Sequence, residues 1–190
     1  IEEWDGTSWT VGNTMTTGRS LLSGFGTQTA AIAACGTVGP APVPSNLKKN
    51  VEEFDGTSWS EVNDVNTARK YLKGAGTTTT GMVACGATVP GATTIANTET
   101  YNGTSWTEVA DVNTSRNSYG MNKDGANTSA LIFCGNKPAA STTITEQWNG
   151  TSWTEVADVS YGTQELSGAG TAAVALKCMG NDPGGWTDST

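Results

Sequence analysis

The hydrophobic pattern of the chain consists of short apolar runs, separated by turn residues, that recur with a period of 47 to 50 residues. In the second repeat, the run 51–54 is followed by an Asp-Gly loop at 55–58 and by a second run at 59–62. Two β-prone runs around such a loop predict a β-hairpin with Phe54 and Trp59 on either side of its turn. The two rings are therefore expected to pair across the strands.

A run with two glycines and a strongly apolar run complete each repeat. Gly74-x-Gly76 lies in the second repeat and has counterparts at 24–26 and 168–170. Glycine repeated inside a strand predicts a bulge or a close approach of another backbone. No segment shows a helical apolar period, so helix is expected to be nearly absent. Each repeat is thus predicted to form four short strands.

A motif of an aromatic residue, Asp or Asn, Gly, Thr, Ser and Trp occurs four times, at 4–9, 54–59, 101–106 and 148–153. Tandem four-stranded units with a period of roughly 40–50 residues are typical of a β-propeller. The predicted fold class is all-β: a propeller of four blades, each with four antiparallel strands. It forms a single domain over 1–190, with repeats that start near 1, 51, 98 and 145. A ring of roughly six or seven blades, of which this chain is a portion, is the alternative.

The phase of the repeats predicts how the ring closes. The chain starts with an aromatic hairpin, and the repeat pattern ends after an apolar run at Gly180. The first hairpin can then complete the last blade, which leaves no unpaired sheet edge. Because residue 1 is not Met and lies in mid-repeat, we expect the chain to be a piece of a longer or processed protein.

The charge balance narrows the classes of partner. The formal net charge is −8, and the 10 Lys and Arg residues are scattered. A chain with this acidic balance is expected to have no basic surface that binds nucleic acid or anionic lipid. No run of roughly 18 apolar residues occurs, so no membrane insertion is expected.

One cysteine stands near the end of the apolar run of each repeat, and no disulfide is predicted. Equivalent positions on neighbouring blades lie ~10 Å or more apart, whereas a disulfide needs Cα atoms within about 7 Å. We expect buried free thiols that act as small hydrophobic side chains. The four are Cys35, Cys85, Cys134 and Cys178.

The chain contains no histidine, which removes the usual general base and the commonest metal ligand. No catalytic residue, metal site or cofactor is therefore predicted. A glycosidase-type pair of carboxylates is the remaining enzymatic option, but the glutamates recur at matching positions, as residues on solvated strand faces do. Asp and Asn before Gly are expected to shape turns rather than bind calcium. The glutamates in question are Glu2, Glu3, Glu52, Glu53, Glu61, Glu99, Glu108, Glu146 and Glu155.

Two classes of residue remain as candidates for binding. Arg19, Arg69 and Arg116 occur once in each of the first three repeats, and they can bind anionic groups or pair with carboxylates of their own blade. Trp186 lies outside the repeat pattern, in a Gly-Gly loop, and is the candidate for an exposed contact. The hairpin tryptophans are expected to pack between blades. They are Trp9, Trp59, Trp106 and Trp153.

The order of these features resembles the kelch repeat: an Arg, a glycine-bearing strand, an apolar strand that ends in glycine, an acidic strand with an aromatic residue, a turn, and Trp. The resemblance covers essentially the whole chain. Cys-Gly stands where kelch repeats usually have Gly-Gly, and the turn is shorter. In the fourth repeat, Tyr161-Gly162-Thr163 stands in place of the Arg segment. The repeats are therefore kelch-like.

The consensus is also similar to tandem repeats in tail-fibre and virion-surface proteins of marine bacteriophages, above all in Glu-Val-Ala-Asp-Val at 108–112 and 155–159. This resemblance implies a non-enzymatic structural or host-recognition module on the virion surface. Its partners would be other virion proteins or a host surface glycan, and a homo-oligomer is compatible with it. The loops after each Cys-Gly vary and are expected to form a binding face. Two alternatives stay open: a free, secreted carbohydrate-binding lectin, and a generic protein-interaction kelch module.

Overall fold

The computed structural model describes residues 1–39, 46–88, 93–124, 127–137, 140–178, 180–182 and 185–186. Over these residues the chain is built from short antiparallel β-strands, and no α-helix is present among them. Accordingly, the described segments include no helix long and apolar enough to cross a membrane. The all-β prediction is confirmed.

The chain begins with a hairpin, the N-terminal half-sheet, which consists of β1 (Glu2–Trp4) and β2 (Trp9–Val11). Sheet 1 follows with β3 (Ser23–Thr27), β4 (Ala30–Ala34), β5 (Val51–Phe54) and β6 (Trp59–Val62). All neighbouring strands in it are antiparallel and adjacent in sequence.

Sheets 2 and 3 repeat this arrangement of four antiparallel strands. Sheet 2 begins with β7 (Lys73–Gly76) and β8 (Gly81–Ala84); a separate hairpin follows, β9 (Ala87–Thr88) and β10 (Thr93–Thr94), before the sheet continues with β11 (Thr98–Tyr101) and β12 (Trp106–Val109). Sheet 3 contains β13 (Gly120–Met121), β14 (Ala130–Phe133), β15 (Thr145–Trp148) and β16 (Trp153–Val156). The C-terminal half-sheet pairs β17 (Ser167–Gly170) with β18 (Ala175–Cys178), and β19 (Asn181–Asp182) pairs with β20 (Gly185–Trp186).

The outer hairpin of each sheet carries the aromatic pair that the sequence predicts. Phe54 lies directly opposite Trp59, and the centroids of the two rings are 5.2 Å apart. In the loop, one carboxylate oxygen of Asp55 accepts hydrogen bonds from the backbone N–H groups of Thr57 and Ser58, both at 2.8 Å. The next residue, Gly56, has a φ of 92°, which favours glycine. The turn thus requires the Asp-Gly pair, and the predicted hairpin is confirmed.

The first strands of successive sheets pack against one another, β3 on β7, β7 on β13 and β13 on β17. The ring of Phe25 in sheet 1 lies against sheet 2 at Gly74 and Gly81. A Cβ atom would be 2.6 Å from this ring at Gly74 and 2.7 Å from it at Gly81. Such distances are too short for carbon atoms, so only glycine allows the two sheets to come so close. The predicted close approach at the strand glycines is confirmed.

A chain of backbone hydrogen bonds links the same position in all four repeats. The N–H of Tyr71 donates to the carbonyl of Leu21 (3.1 Å), that of Ser118 to Tyr71 (3.1 Å), and that of Glu165 to Ser118 (2.8 Å). All four residues have a φ between 52° and 57°. Successive repeats are therefore related by a common step.

The two half-sheets differ from the three complete sheets because each has a free edge. In the described part of the chain, β1 pairs only with β2 and β18 only with β17. Leu176 on β18 is 68% exposed, whereas its equivalent in sheet 1, Ile32, is 1% exposed. The described residues therefore form three complete four-stranded sheets and two half-sheets, besides the pairs β9–β10 and β19–β20, and the strand pairing that would close a ring is not among them.

The cysteines follow the prediction with one exception. All four are free, and Cys35, Cys85 and Cys134 are buried, but Cys178 is exposed. The prediction of burial was wrong for Cys178. The additional residue Met179 moves this cysteine one position back in the repeat, to the place of Ala84 in sheet 2. In the half-sheet that place is not covered by a third strand.

Candidate functional site

Each complete sheet contains one buried ion pair formed by an arginine that the sequence singled out. The side chains of these pairs are at most 1% exposed. Charges so far from water must be paired and hydrogen-bonded to be tolerated. The pairs are Arg19–Glu52, with a distance of 2.8 Å from Nη2 to Oε1, Arg69–Glu99 and Arg116–Glu146.

Further hydrogen bonds surround each pair, most fully in sheet 3, whereas Nε of Arg19 and Nε of Arg69 have no partner among the described residues. Nη1 of Arg116 donates to the carbonyl oxygens of Cys134 (3.2 Å) and Ile144 (2.6 Å). The carboxylate of Glu146 accepts bonds from the N–H groups of Asn113 (2.7 Å) and Thr114 (3.1 Å). Sheets 1 and 2 repeat most of this pattern. The pair thus ties the incoming connector to the second and third strands.

The structure therefore places the three candidate arginines, Arg19, Arg69 and Arg116, inside their own sheets. Each guanidinium is enclosed and already bound to a carboxylate and to carbonyl oxygens. An external anion could reach such a group only if the sheet opened. Of the two roles that the sequence allows, this geometry favours pairing within the blade.

The glutamates fall into two groups, of which only one was predicted. Glu61, Glu108 and Glu155 on the fourth strands are exposed, as expected. The prediction of a solvated face was wrong for the third strands, where Glu52, Glu99 and Glu146 are buried. The reason is the arginine that lies 30 or 33 residues earlier in the chain and neutralises each of them.

The fourth repeat arranges its charges differently. Thr163 takes the place of the arginine and is buried, and its Oγ1 has no hydrogen-bond partner among the described residues. The ammonium of Lys177 on β18 donates to the carbonyl of Tyr161 at 3.0 Å. Tyr161 is the equivalent of Thr114, whose N–H binds the buried glutamate of sheet 3. A cation therefore stands near the usual place, but no carboxylate of the described chain pairs with it.

The hairpin tryptophans differ in burial according to the sheet that they face. Trp106 and Trp153 are buried, as predicted, and Nε1 of Trp153 donates to Oγ1 of Thr98 in the preceding sheet at 3.0 Å. Trp59 is partly exposed. Trp9 is 64% exposed, so the prediction of packing was wrong for it in this structure, because no complete sheet covers the N-terminal hairpin. The backbone of Trp186 pairs with Asn181, but its side chain lies outside the described part of the structure.

Burial also governs the reactivity of the thiols. Removal from water raises the pKa of the Cys35 and Cys85 thiols to about 12. Both cysteines have positive φ values, 65° and 50°, and each is followed by a Gly with positive φ. The carbonyls of the two cysteines are held by Arg19 and Arg69. The two cysteines are thus parts of the arginine network, and the raised pKa keeps their thiols protonated near neutral pH.

Sequence reasoning missed a cavity of about 300 Å³ that all four repeats share. Each repeat contributes to its lining the residue that takes part in the chain of backbone bonds between repeats, and Lys73 lines the cavity as well. The four residues are Leu21, Tyr71, Ser118 and Glu165. We call it the shared cavity. Only a weak signal was present in the sequence: this position lies two residues after the arginine position and differs in all four repeats, but so does the position before it.

The described residues contain no group of three or more Cys, Asp or Glu placed to hold a metal ion. Comparison of the chain with protein-family models and with curated proteins finds no match. The function is therefore inferred from the arrangement of the described residues and from the sequence.

Replacing Arg116 by Met should lower the free energy of unfolding by about 3–5 kcal/mol, because Glu146 is left buried without its cation. Urea denaturation of the folded chain measures this loss. The matched control is Lys49→Met, which removes the cation of an exposed pair with Asp64 at 3.5 Å and should cost at most about 1 kcal/mol. Similar small losses in both variants would contradict the importance of the buried pair.

With the free edge that β18 has in this structure, a thiol reagent at pH 8 should label one cysteine of the folded protein, Cys178, and all four after denaturation. A third strand paired to β18 would protect Cys178 as well, because the equivalent residues Ala34 and Ala84 are fully buried. Cys35 and Cys85 are protected because their thiols are buried and hardly ionised at this pH. Mass spectrometry of the labelled chain counts the sites, and a Cys178→Ser variant should take up no reagent while folded. Labelling of Cys35 as fast as that of Cys178 would show that sheet 1 opens readily.

Proposed function

We propose that the chain forms a closed, four-bladed, kelch-like propeller that serves without enzymatic activity as a host-recognition or decoration module on a bacteriophage particle. The convergence of all four repeats on the shared cavity carries the architectural part of this proposal. Leu21 of the first repeat and Glu165 of the fourth line the same cavity. In a larger ring, additional blades would separate these two repeats.

A second contact supports a small ring. The ammonium of Lys123 in the third repeat donates to the carbonyl of Gly24 in the first repeat at 3.2 Å. These repeats are not neighbours in the chain, yet a single side chain bridges them. Opposite blades of a four-bladed ring can come so near, and this favours four blades over six or seven.

The free edges of the half-sheets are complementary in charge. In sheet 1, β4 and β5 pair so that Ala33 lies opposite Glu52, and sheets 2 and 3 keep the same register. Applied to β18 and β1, this register places Lys177 opposite Glu2. Residues directly opposite each other project from the same face of an antiparallel pair. Lys177 would then neutralise Glu2, in the way that the arginines neutralise the other third-strand glutamates.

One buried hydroxyl group without a partner points to the same closure. Across the boundary of sheets 2 and 3, Trp153 donates to Oγ1 of Thr98. The equivalent of Thr98 in sheet 3 is Thr145, whose Oγ1 is buried and has no hydrogen-bond partner in the described structure. The equivalent of Trp153 in the N-terminal half-sheet is Trp9, which is exposed. A fourth blade that contains this half-sheet would bring the Trp9 indole N–H to Thr145.

The space that the closing strands would fill lies beside sheet 1. A gap of about 860 Å³ is lined there by Gly24, Ala31 and Ala33 among others. A Cβ atom at Gly24 would meet nothing nearer than 3.8 Å, whereas one at the equivalent Gly168 would lie 2.4 Å from a backbone oxygen of sheet 3. The exposed Leu176 would be buried against sheet 1 on closure, as Ile32 is buried against sheet 2.

The virion role is supported by the resemblance of the repeats to those of bacteriophage tail-fibre and virion-surface proteins. It is also supported by the surfaces that are not used to hold the fold together. The arginines and the buried hairpin tryptophans hold the sheets together. The shared cavity and the loops after each Cys-Gly, which lie partly outside the described residues, are the proposed recognition surfaces. Other virion proteins or a host surface glycan are the proposed partners, and the virion surface is the proposed location. All four cysteines are free, so the fold depends on no disulfide.

Charge reversal tests the closure. If Lys177 and Glu2 form a buried pair, Glu2→Lys or Lys177→Glu alone should lower the free energy of unfolding by roughly 3 kcal/mol or more. The double reversal should recover most of the loss. In the open arrangement Glu2 is exposed, and its reversal should change stability by less than about 1 kcal/mol. Urea denaturation of the four proteins gives the coupling energy.

Glu3→Lys is the matched control, because neighbouring residues of a strand project from opposite faces. It should show no coupling to Lys177. Size-exclusion chromatography with light scattering decides whether the closure occurs within one chain. Coupling in a monomer supports the proposal, whereas coupling confined to a dimer would mean that two chains exchange their hairpins. Absence of any coupling would refute the closed ring.

The recognition role predicts that the purified chain binds specific sugars on a glycan array. Trp186→Ala is assayed in parallel, because Trp186 is the candidate contact outside the repeats. Binding above background supports host recognition, and its loss in Trp186→Ala would place the contact beside the loops that follow Cys-Gly. No binding by a folded chain would refute glycan recognition and leave decoration of the particle as the role to test against neighbouring virion proteins.

A further inference from the structure

We infer that the shared cavity binds a single neutral hexose residue at the end of a glycan. Four positions that are equivalent in the repeats meet there, and they carry four different side chains: Leu21, Tyr71, Ser118 and Glu165. The four repeats therefore bring together side chains of different chemistry at the point where they converge.

The backbone conformation at these four positions is unfavourable for residues that have a side chain. All four residues have a positive φ, a conformation that glycine adopts easily and that L-residues with a Cβ adopt at some cost in energy. The backbone bonds between the repeats account for the conformation itself, but a glycine would form the same bonds. Strained residues of this kind are enriched at binding sites, where the side chain has a use.

The chemistry of the cavity fits a small polyhydroxylated ligand. Leu21 and Tyr71 form an apolar part, and the ammonium of Lys70 lies over the Tyr71 ring at 5.2 Å from its centroid. Lys73 and Glu165 form a charged part, and neither side chain has a hydrogen bond or ion pair within the described residues. A carboxylate accepts bonds from hydroxyl groups, and an ammonium donates to them.

The volume of the shared cavity and the charges that line it narrow the class of ligand further. One cation and one anion line the cavity, so a neutral ligand matches it better than an ion does. Burial lowers the pKa of Lys73, because its ammonium is partly removed from water. A volume of about 300 Å³ lies at the lower end of the range for small-molecule sites. A single hexose ring fits this volume, and longer chains would extend into solvent.

This inference rests on the proposed recognition function and names its site. It is tested with glycine variants, because glycine removes the side chain and relieves the positive φ. Tyr71→Gly and Glu165→Gly should keep or raise the melting temperature, yet each should weaken the binding of the best methyl hexoside by at least tenfold in calorimetric titration. Tyr161→Ala, which removes an exposed tyrosine outside the cavity, is the control and should bind as the wild type does.

The probes are methyl glycosides of glucose, galactose, mannose and N-acetylglucosamine, together with the glycan array. If the wild type binds glycans on the array and Tyr71→Gly binds them equally well, recognition stands and the shared cavity is refuted as its site. If the folded wild type binds none of the probes and no glycan, both the site and glycan recognition fail. Weaker binding accompanied by a lower melting temperature in both glycine variants would show a structural role and would also overturn the inference.

Discussion

The buried pair of arginine and glutamate is the interaction on which each complete sheet depends. An ion pair removed from water is tolerated only when its other bonding groups are largely satisfied. In sheet 3, the guanidinium also binds the carbonyls that flank the second and third strands, and the carboxylate binds the N–H groups of the connector. One network thus fixes the end of the apolar strand, the start of the next strand and the entry of the chain. The left-handed conformation of the cysteines follows from it, since it accompanies the turn of their carbonyls toward the arginine.

Neighbouring sheets pack differently at their first strands and at their outer hairpins. At the first strands, space is so limited that Gly74 and Gly81 must leave room for the ring of Phe25. At the outer hairpins, pairs of aromatic rings fill a wider space, with centroids 4.9 to 5.5 Å apart. The glycine positions thus set how closely the first strands of neighbouring sheets approach, and the aromatic positions fill the outer hairpins.

Local features could be predicted from the sequence, and long-range partners could not. The Asp-Gly hairpin, the cross-strand pair of Phe54 and Trp59 and the close approach at Gly74 follow from residues within a few positions of each other. The burial of Glu99 depends on an arginine 30 residues away, so its position beside a hairpin gave a misleading indication of a solvated face. The shared cavity was missed for a similar reason, because its lining residues are separated by whole repeats and converge only in the folded chain.

The fourth repeat connects the chemistry of the sheet with the proposed ring. It has lost the arginine, and Thr163 in that place offers no charge. A lysine stands instead on β18, where sheets 1, 2 and 3 have Ala33, Val83 and Ile132. In the common register, the carboxylate opposite this cation belongs to β1. The two departures from the repeat would compensate each other in a closed blade, whereas in the open half-sheet Lys177 binds only the carbonyl of Tyr161 among the described residues. This correspondence links the terminal strands more strongly than the general tendency of sheet edges to pair.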